Sequence, residues 1–493
     1  MSPQLIIGII IGYFLLLILT SWITSLNSDK QSFYLGNKKS PWYLVSFGMI
    51  GATLSGVTFI SVPGNIGNLA HVNGQFSYLQ VVLGYSVGYV LIAFVLLPLY
   101  YRLNLTSIYG YLEERYGWVS RKTGAFFFLF SRVIGASFRL FLVAIVLDKF
   151  IFAVWGVPFW ATVAITILLI WVYTFKSGIK TIIYTDTLQT AFMLLAVILT
   201  VIYIVRSMDI TGYDSLMTSL EGVGIKKMLF WDNGPRNFYK QFLSGLFLAL
   251  VMTGLDQDMM QKNLSCRNIG EAKKNMLTLG GTMVIVNTLF VVFGGLLYVY
   301  ANQNGISVPG RTDYLYPTLA LEHFSPVIGV FFILGLIAAA YSSADSALTA
   351  LTTSFVVDFL EFDKKGSNIR MRTYVHVGFS VLILLVIVMF RYWIEDSVLT
   401  ELFKIAGLTY GPLLGMFAFG ILTKRKVTDK YVWLVCLLSF SMAFVLYKYS
   451  EALLGFKVGF ELLIYNGMFT FLGMAIISEP KPISGDNVLD AEI

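Results

Sequence analysis

The sequence predicts an all-α polytopic membrane protein of about 13 transmembrane helices. Hydrophobic residues make up 57% of its 493 residues and charged residues only 13%, whereas soluble domains usually contain about 25% charged residues. The mean hydropathy is +0.75, and the apolar segments are spread evenly from end to end. A chain this apolar cannot cover its surface with groups that water solvates, so we expect a lipid bilayer to be its main solvent.

About 13 segments meet the requirement of about 20 apolar residues for crossing the hydrocarbon core of a bilayer. They are predicted near residues 3–25, 42–71, 76–101, 122–150, 157–175, 181–205, 238–262, 273–301, 323–360, 371–391, 397–423, 429–447 and 456–478. An odd number of crossings places the two termini on opposite sides of the membrane.

The distribution of basic residues predicts the orientation. With the N-terminus outside, the cytoplasmic connections hold about 22 Lys and Arg residues and the opposite set about 9, five of which fall in the long loop 206–240. Lys and Arg favour cytoplasmic loops, and long loops count little in this rule. We therefore expect a bacterial-type inner-membrane protein with its N-terminus outside and its C-terminus in the cytoplasm.

Two spans carry the signs of an interrupted helix. Segment 42–71 contains several glycines and Pro63, and glycine and proline cost about 1 and 3 kcal/mol in a helix interior. Segment 238–262 ends with two carboxylates, Asp256 and Asp258, near membrane depth. These segments begin two successive five-helix stretches, and interrupted helices at matching positions of two halves indicate a transporter site.

The spacing of these segments divides the chain into six parts. They are a peripheral first helix with a cytoplasmic loop, the first five-helix stretch, an extracellular loop, the second five-helix stretch, two peripheral C-terminal helices and a cytoplasmic tail, at 1–41, 42–205, 206–237, 238–423, 424–478 and 479–493.

Several functional classes are excluded by composition. The net charge of +7 comes from basic residues scattered among short loops, which is not the clustered pattern of a nucleic-acid-binding surface. Two cysteines, Cys266 and Cys436, provide no disulfide framework, and three histidines, His71, His323 and His376, lack the spacing of metal ligands. An enzyme would need a nucleophile with its base, or metal ligands. We therefore expect neither an enzyme nor a cofactor.

The most informative pattern lies in segment 323–360. Ala339, Ser342, Ser343 and Ser346 follow the i, i+3, i+4, i+7 spacing of one helix face, beside Asp345. Small and hydroxyl side chains are also ordinary contacts between membrane helices, so the serines alone leave both interpretations open. A carboxylate at this depth costs a few kcal/mol and indicates a functional site by default. A sodium ion with about five oxygen ligands would compensate for that cost.

Three further charged residues fall in otherwise apolar segments. Asp186 lies either near a hydrated cytoplasmic helix end or on an ion pathway opening there. Arg132 and Arg139 are seven residues apart near one face of a helix. Arg132 is nearer the middle, and a guanidinium suits planar, bidentate recognition of a carboxylate. Either an acidic solute or an intramolecular salt bridge would explain it.

Four motifs together resemble the sodium:solute symporter family. They are Ala52-Thr53-Leu54-Ser55-Gly56-Val57-Thr58-Phe59-Ile60-Ser61-Val62-Pro63, Asp256-Gln257 followed after three residues by Gln261-Lys262, the pair Ser342-Ser343, and Gly407 followed after three residues by Gly411-Pro412-Leu413-Leu414-Gly415. The family includes sodium-coupled sugar, proline, iodide, monocarboxylate and sialic acid transporters. The resemblance covers almost the whole chain. It implies a leucine-transporter-like fold, in which two inverted five-helix repeats with interrupted first helices are joined by peripheral helices.

The resemblance also implies positions for sodium. The common sodium site of the family would use the backbone carbonyls of Gly51, Leu54 and Ala339 with the hydroxyls of Ser342 and Ser343. A second site, present in some members, would use Asp186, Ser342, Asp345 and Ser346. A serine is usual where Asp345 stands, so this pair of carboxylates could bind sodium, bind a proton or bridge to a basic residue.

Solute contacts are implied at positions on several helices. They are Thr53, Ser55, Thr58, Gln80, Arg132, Asp256 and Gln257. The resulting expectation is a secondary active transporter that takes up a small organic solute, such as a sugar, a sialic acid or another carboxylate, together with sodium by alternating access. A proton-coupled carrier of the same fold that uses Asp345 is the alternative. We expect such a transporter to function as a monomer, without a nucleic-acid partner and without a cofactor besides the coupling ion Na⁺.

Overall fold

The chain is analysed as a computed structural model, which describes residues 3–25, 40–69, 72, 74–105, 107–174, 179–232, 234–361, 369–393 and 397–480. The predicted cytoplasmic loop at 26–39 and most of the predicted tail, 481–493, lie outside these residues. Helix α1 (Pro3–Ser25) precedes the first five-helix stretch and packs against it through Tyr13 and Leu17.

The first stretch begins with an interrupted helix, as predicted. Helix α2 (Trp42–Gly56) breaks at Ser55, whose φ of 47° is left-handed, and it continues through a π-helical turn at Val57–Ser61 into α3 (Val62–Asn65). The remaining helices are α4 (Tyr78–Leu91), α5 (Leu97–Arg102), α6 (Gly110–Arg115), α7 (Trp118–Leu147), α8 (Phe159–Thr174) and α9 (Ile179–Ser207).

The second stretch follows a loop that contains α10 (Gly212–Gly222), and its first helix is also interrupted. Helix α11 (Phe238–Ala249) runs through a π-helical turn and then bends by 64° into α12 (Gln257–Leu264). Asp256 caps α12 because its Oδ1 accepts the amide hydrogens of Asp258 and Met259 at 3.0 and 3.4 Å. The stretch continues with α13 (Ile269–Gln303), α14 (Leu315–Thr318), α15 (Pro326–Ser354), α16 (Ile369–Trp393), α17 (Val398–Thr409) and α18 (Gly411–Leu422).

Two more helices complete the described chain. They are α19 (Val432–Leu454) and α20 (Leu462–Ile476), and the short strands β1 (Lys426–Val427) and β2 (Ser478–Glu479) pair antiparallel at their ends.

The number of membrane crossings is not confirmed as 13. Among the described residues, 8 helices are long and apolar enough to cross a membrane, or up to 11 if each of 3 bent helix pairs counts as one span. Helices α7 and α8 form one such pair, with an angle of 115°. The last predicted segment yields only the 15-residue α20, which is shorter than a perpendicular crossing requires.

Close helix packing brings the interrupted helices to the centre of the molecule. Helices α2, α9 and α15 pack on one another, and α4 runs along α11. Gly84 and Gly245 allow this second contact, because a Cβ atom at either position would meet backbone atoms of the facing helix. Small residues at such crossings let membrane helices approach closely.

Candidate functional site

A central cavity lies between the interrupted helices. Its volume is about 60 Å³, which is well below the about 300–1,000 Å³ that is usual for small-molecule sites. Its walls come from α2 and α11 with the π-helical turns that follow them, and from α4, α7, α12, α13 and α17. They combine hydroxyl and amide groups, such as Thr58, Tyr85 and Asn287, with apolar groups, such as Met252 and Phe403.

Arg139 supplies the positive charge of this cavity. Its side chain lines the wall and is only 7% exposed. Two of its guanidinium nitrogens, Nε and Nη1, have no hydrogen-bond partner in the described part of the chain. A buried charged group without compensation is costly, so an anionic group in the cavity would be bound favourably here. From the sequence, Arg139 was noted only because it lies near Arg132 on one helix face, and it was not predicted to contact the solute.

The predicted hydroxyl residues of the interrupted helix do line the cavity. Ser55 and Thr58 lie on its wall, and both are buried. Thr53 is also on the wall, and its hydroxyl donates a hydrogen bond to the Met49 carbonyl at 2.7 Å. Since a hydroxyl oxygen retains acceptor capacity while it donates, all three remain able to contact a solute.

Two predicted solute contacts are placed outside the cavity. The Gln80 Oε1 atom accepts the amide hydrogen of Phe230 at 3.1 Å, and its Nε2 donates to the Arg236 carbonyl at 3.0 Å. The Gln80 side chain therefore stabilises the loop between α10 and α11 through these two hydrogen bonds. The Gln257 Oε1 atom accepts the amide hydrogen of Ile108 at 3.0 Å, which connects the start of α12 to the segment before α6.

Arg132 forms an intramolecular salt bridge, the second of the alternatives that the sequence left open. Its guanidinium donates to the Asp258 carboxylate and lies 3.5 Å from Oδ2 of Asp256. The same Asp256 oxygen accepts a hydrogen bond from the Tyr410 hydroxyl at 3.0 Å. Arg132 and Asp256 thus join α7 to the break before α12, and neither residue lines the central cavity.

The second predicted cation site contains a lysine that the sequence did not assign to it. Lys262 belongs to α12 and is 1% exposed. Its Nζ donates hydrogen bonds of 2.8 Å to Asp186 Oδ2 and to Ser346 Oγ. Asp345 is fully buried beside this cluster and accepts the amide hydrogen of Ser346 through Oδ1. Asp186 thus bridges to a basic residue, which is one of the three possibilities for the carboxylate pair.

The predicted common sodium site lies where α15 meets the break in α2. The Ser343 hydroxyl is 3.5 Å from the Ala52 carbonyl oxygen, and apart from a carboxylate on α9 the Ser342 hydroxyl has no hydrogen-bond partner among the described residues. The Leu54 carbonyl accepts the amide hydrogen of Val57 across the break. Hydroxyls beside an unwound helix segment are the type of oxygen ligand that a sodium ion uses in interrupted membrane helices.

Comparisons with known proteins agree on one family. The sequence model of the sodium:solute symporter family matches residues 33–430. The sodium/sialic acid symporter of Aliivibrio fischeri is 24% identical over 407 residues, which are 80% of this chain and 78% of that protein. The mouse sodium-coupled monocarboxylate transporter 1 is 25% identical over 410 residues, which are 80% of this chain but 64% of that protein.

One solved structure matches the fold almost end to end. It is a substrate-bound, outward-open state of a Na⁺-coupled sialic acid symporter, with a TM-score of 0.80 and 20% sequence identity over 97% of this chain and 99% of that one. This likeness confirms the predicted fold class of two inverted five-helix repeats with interrupted first helices.

Proposed function

This chain belongs to the sodium:solute symporter family, and from that premise we propose that its solute is a small organic acid. The family consists of multi-pass membrane transporters and not of enzymes, and the chain is a sodium-coupled symporter that works by alternating access. We further propose that it resides in a bacterial-type inner membrane as a monomer, with its N-terminus outside and its C-terminus in the cytoplasm.

Arg139 is the observation that supports an acidic solute. Its guanidinium lines the cavity, and the Nε and Nη1 atoms have no hydrogen-bond partner among the described residues. A guanidinium is suited to planar recognition of a carboxylate. The hydroxyls of Ser55 and Thr58, which line the same cavity, suit a solute that carries hydroxyl or amide groups as well. Relatives that transport sialic acid and monocarboxylates have solutes of this chemical class.

The common sodium site is proposed at the carbonyls of Gly51, Leu54 and Ala339 with the hydroxyls of Ser342 and Ser343. It adjoins the cavity, because Ser55 follows Leu54 and forms part of the wall. Sodium would hold the break in α2 in the conformation that presents Ser55 and Thr58 to the solute. This shared segment gives a direct physical link between ion binding and solute binding.

The test is solute uptake by the purified chain in proteoliposomes. A sodium gradient should drive uptake of carboxylates, with sialic acid and short monocarboxylates among the labelled solutes, and not of neutral sugars or zwitterionic amino acids. A pH gradient in sodium-free buffer is the control for the proton-coupled alternative. A neutral best solute would contradict the acidic class, and full-rate uptake without sodium would contradict the proposed ion site.

A further inference from the structure

The buried ammonium of Lys262 occupies a position built for a cation. It donates hydrogen bonds of 2.8 Å to Asp186 Oδ2 and Ser346 Oγ, lies 3.7 Å from Asp258 Oδ1, and interacts electrostatically with Asp345. All of these side chains are almost fully buried. The ammonium is thus surrounded by oxygen atoms from α9, α12 and α15, as a bound metal cation would be.

Three of the surrounding residues, Asp186, Asp345 and Ser346, belong to the ligand set predicted for a second sodium ion. Asp186, Ser342, Asp345 and Ser346 form that ligand set, and Lys262 already takes one oxygen from Asp186 and the hydroxyl of Ser346. Another cation at the same place would be repelled by the ammonium at very short range. The Lys262 ammonium therefore occupies the position that a second sodium ion would take.

Oxygen atoms on the other side of Asp186 remain available. Apart from the interaction between the Asp186 carboxylate and the Ser342 hydroxyl, Asp186 Oδ1 and Ser342 Oγ have no hydrogen-bond partner among the described residues, although both residues are buried. Ser342 is also a member of the proposed common sodium site. One carboxylate can thus face the fixed ammonium through Oδ2 and a mobile sodium ion through Oδ1.

We propose that Lys262 is a tethered cation that replaces the second sodium ion, so that this symporter binds one sodium per transport cycle. Asp345 then serves as an additional counter-charge for the lysine and not as an ion ligand. Because Lys262 is carried by α12, its ammonium also joins the inner half of an interrupted helix to α9 and α15. The proposal rests on sodium coupling but not on the class of solute.

The test is equilibrium binding of ²²Na⁺ to the purified full-length chain without solute. The wild type should bind one sodium per protein with a Hill coefficient of about 1. Lys262→Met should bind two, with a Hill coefficient between 1 and 2, because the vacated oxygen atoms can accept the ion. Lys274→Met is the matched control, since Lys274 is exposed on α13, and it should bind one.

Lys262→Met removes the ammonium from the buried carboxylates of Asp186, Asp258 and Asp345, and this variant is therefore paired with Lys262→Met/Asp345→Ser. The double variant retains the net charge of the wild-type cluster, so it decides the question if the single variant does not fold. Two bound sodium ions in either variant support the proposal. Two in the wild type, or one in every folded Lys262 variant, would overturn it. Because no solute is present, a wrong solute class would leave all of these results unchanged.

Discussion

At the scale of single residues, two arginines on one helix differ in what neutralises them. Arg132 is held between Asp256 and Asp258, whereas Arg139 faces the cavity with Nε and Nη1 unpartnered among the described residues. A buried charge with two carboxylate partners has little left for a ligand, and a buried charge without them gains most from one. This difference favours Arg139 over Arg132 as the contact for the proposed solute carboxylate.

Arg139→Lys is therefore expected to weaken solute binding without abolishing sodium binding. A compact ammonium cannot reproduce a two-point contact with a carboxylate, and charged hydrogen bonds contribute about 1.5–3 kcal/mol, which is about 10- to 100-fold in apparent affinity. Uptake against solute concentration measures this effect. Arg132→Lys is the comparison variant, and it should lower thermal stability more than affinity. Equal losses of affinity in both variants would contradict the assignment.

Ser343→Ala is expected to raise the sodium concentration for half-maximal uptake by about 5-fold, since a lost neutral oxygen ligand is comparable to a hydrogen bond of about 1 kcal/mol. The solute concentration for half-maximal uptake at saturating sodium should change little. Uptake against sodium concentration measures the shift, and Ser441→Ala is the control, because the Ser441 hydroxyl donates to the Leu437 carbonyl of its own helix. An unchanged sodium dependence would remove Ser343 from the ion site.

At the scale of helices, both interruptions were predictable from sequence but their consequences were not. The two broken helices were identified by a stretch rich in Gly and Pro and by the run Asp256-Gln257-Asp258. Each signal lies within the segment that it interrupts, because backbone preferences depend on local sequence. Lys262 was only the last residue of the predicted segment 238–262, and nothing in its local sequence marked it as the partner of a buried carboxylate. Its partner Asp186 is 76 residues away in sequence, and no local pattern reveals such a pairing.

The α4–α11 contact depends on glycine, and Gly245→Ala should destabilise it. A Cβ atom there would meet the backbone of Val81, which cannot move aside as a flexible side chain could. Overpacking of this kind costs about 1–3 kcal/mol, so the melting temperature in detergent should fall. Gly281→Ala is the matched control, because a Cβ atom there meets nothing within 4 Å and alanine favours the helix. Equal melting temperatures for the two variants would contradict the close contact.

At the scale of the whole molecule, the buried charges around the cavity and the cation site nearly balance. Arg132, Arg139 and Lys262 face Asp186, Asp256, Asp258 and Asp345, which leaves one net negative charge. One sodium ion neutralises that charge, and a monocarboxylate then pairs with Arg139. Sodium and solute together add no charge, so the loaded and the empty transporter carry the same charge through the membrane.

Uptake of a monocarboxylate should therefore be independent of membrane potential in the wild type. Lys262→Met, with two bound sodium ions, would move one net positive charge inward per cycle. An inside-negative potential of about 100 mV would then supply about 2.3 kcal/mol, which corresponds to an accumulation about 50-fold higher. Potassium-diffusion potentials in proteoliposomes test both expectations at a fixed sodium gradient, with Lys274→Met as the control. A wild type that already responds to the potential would show that more than one cation accompanies each carboxylate, and Lys262 would not be the substitute for a second sodium.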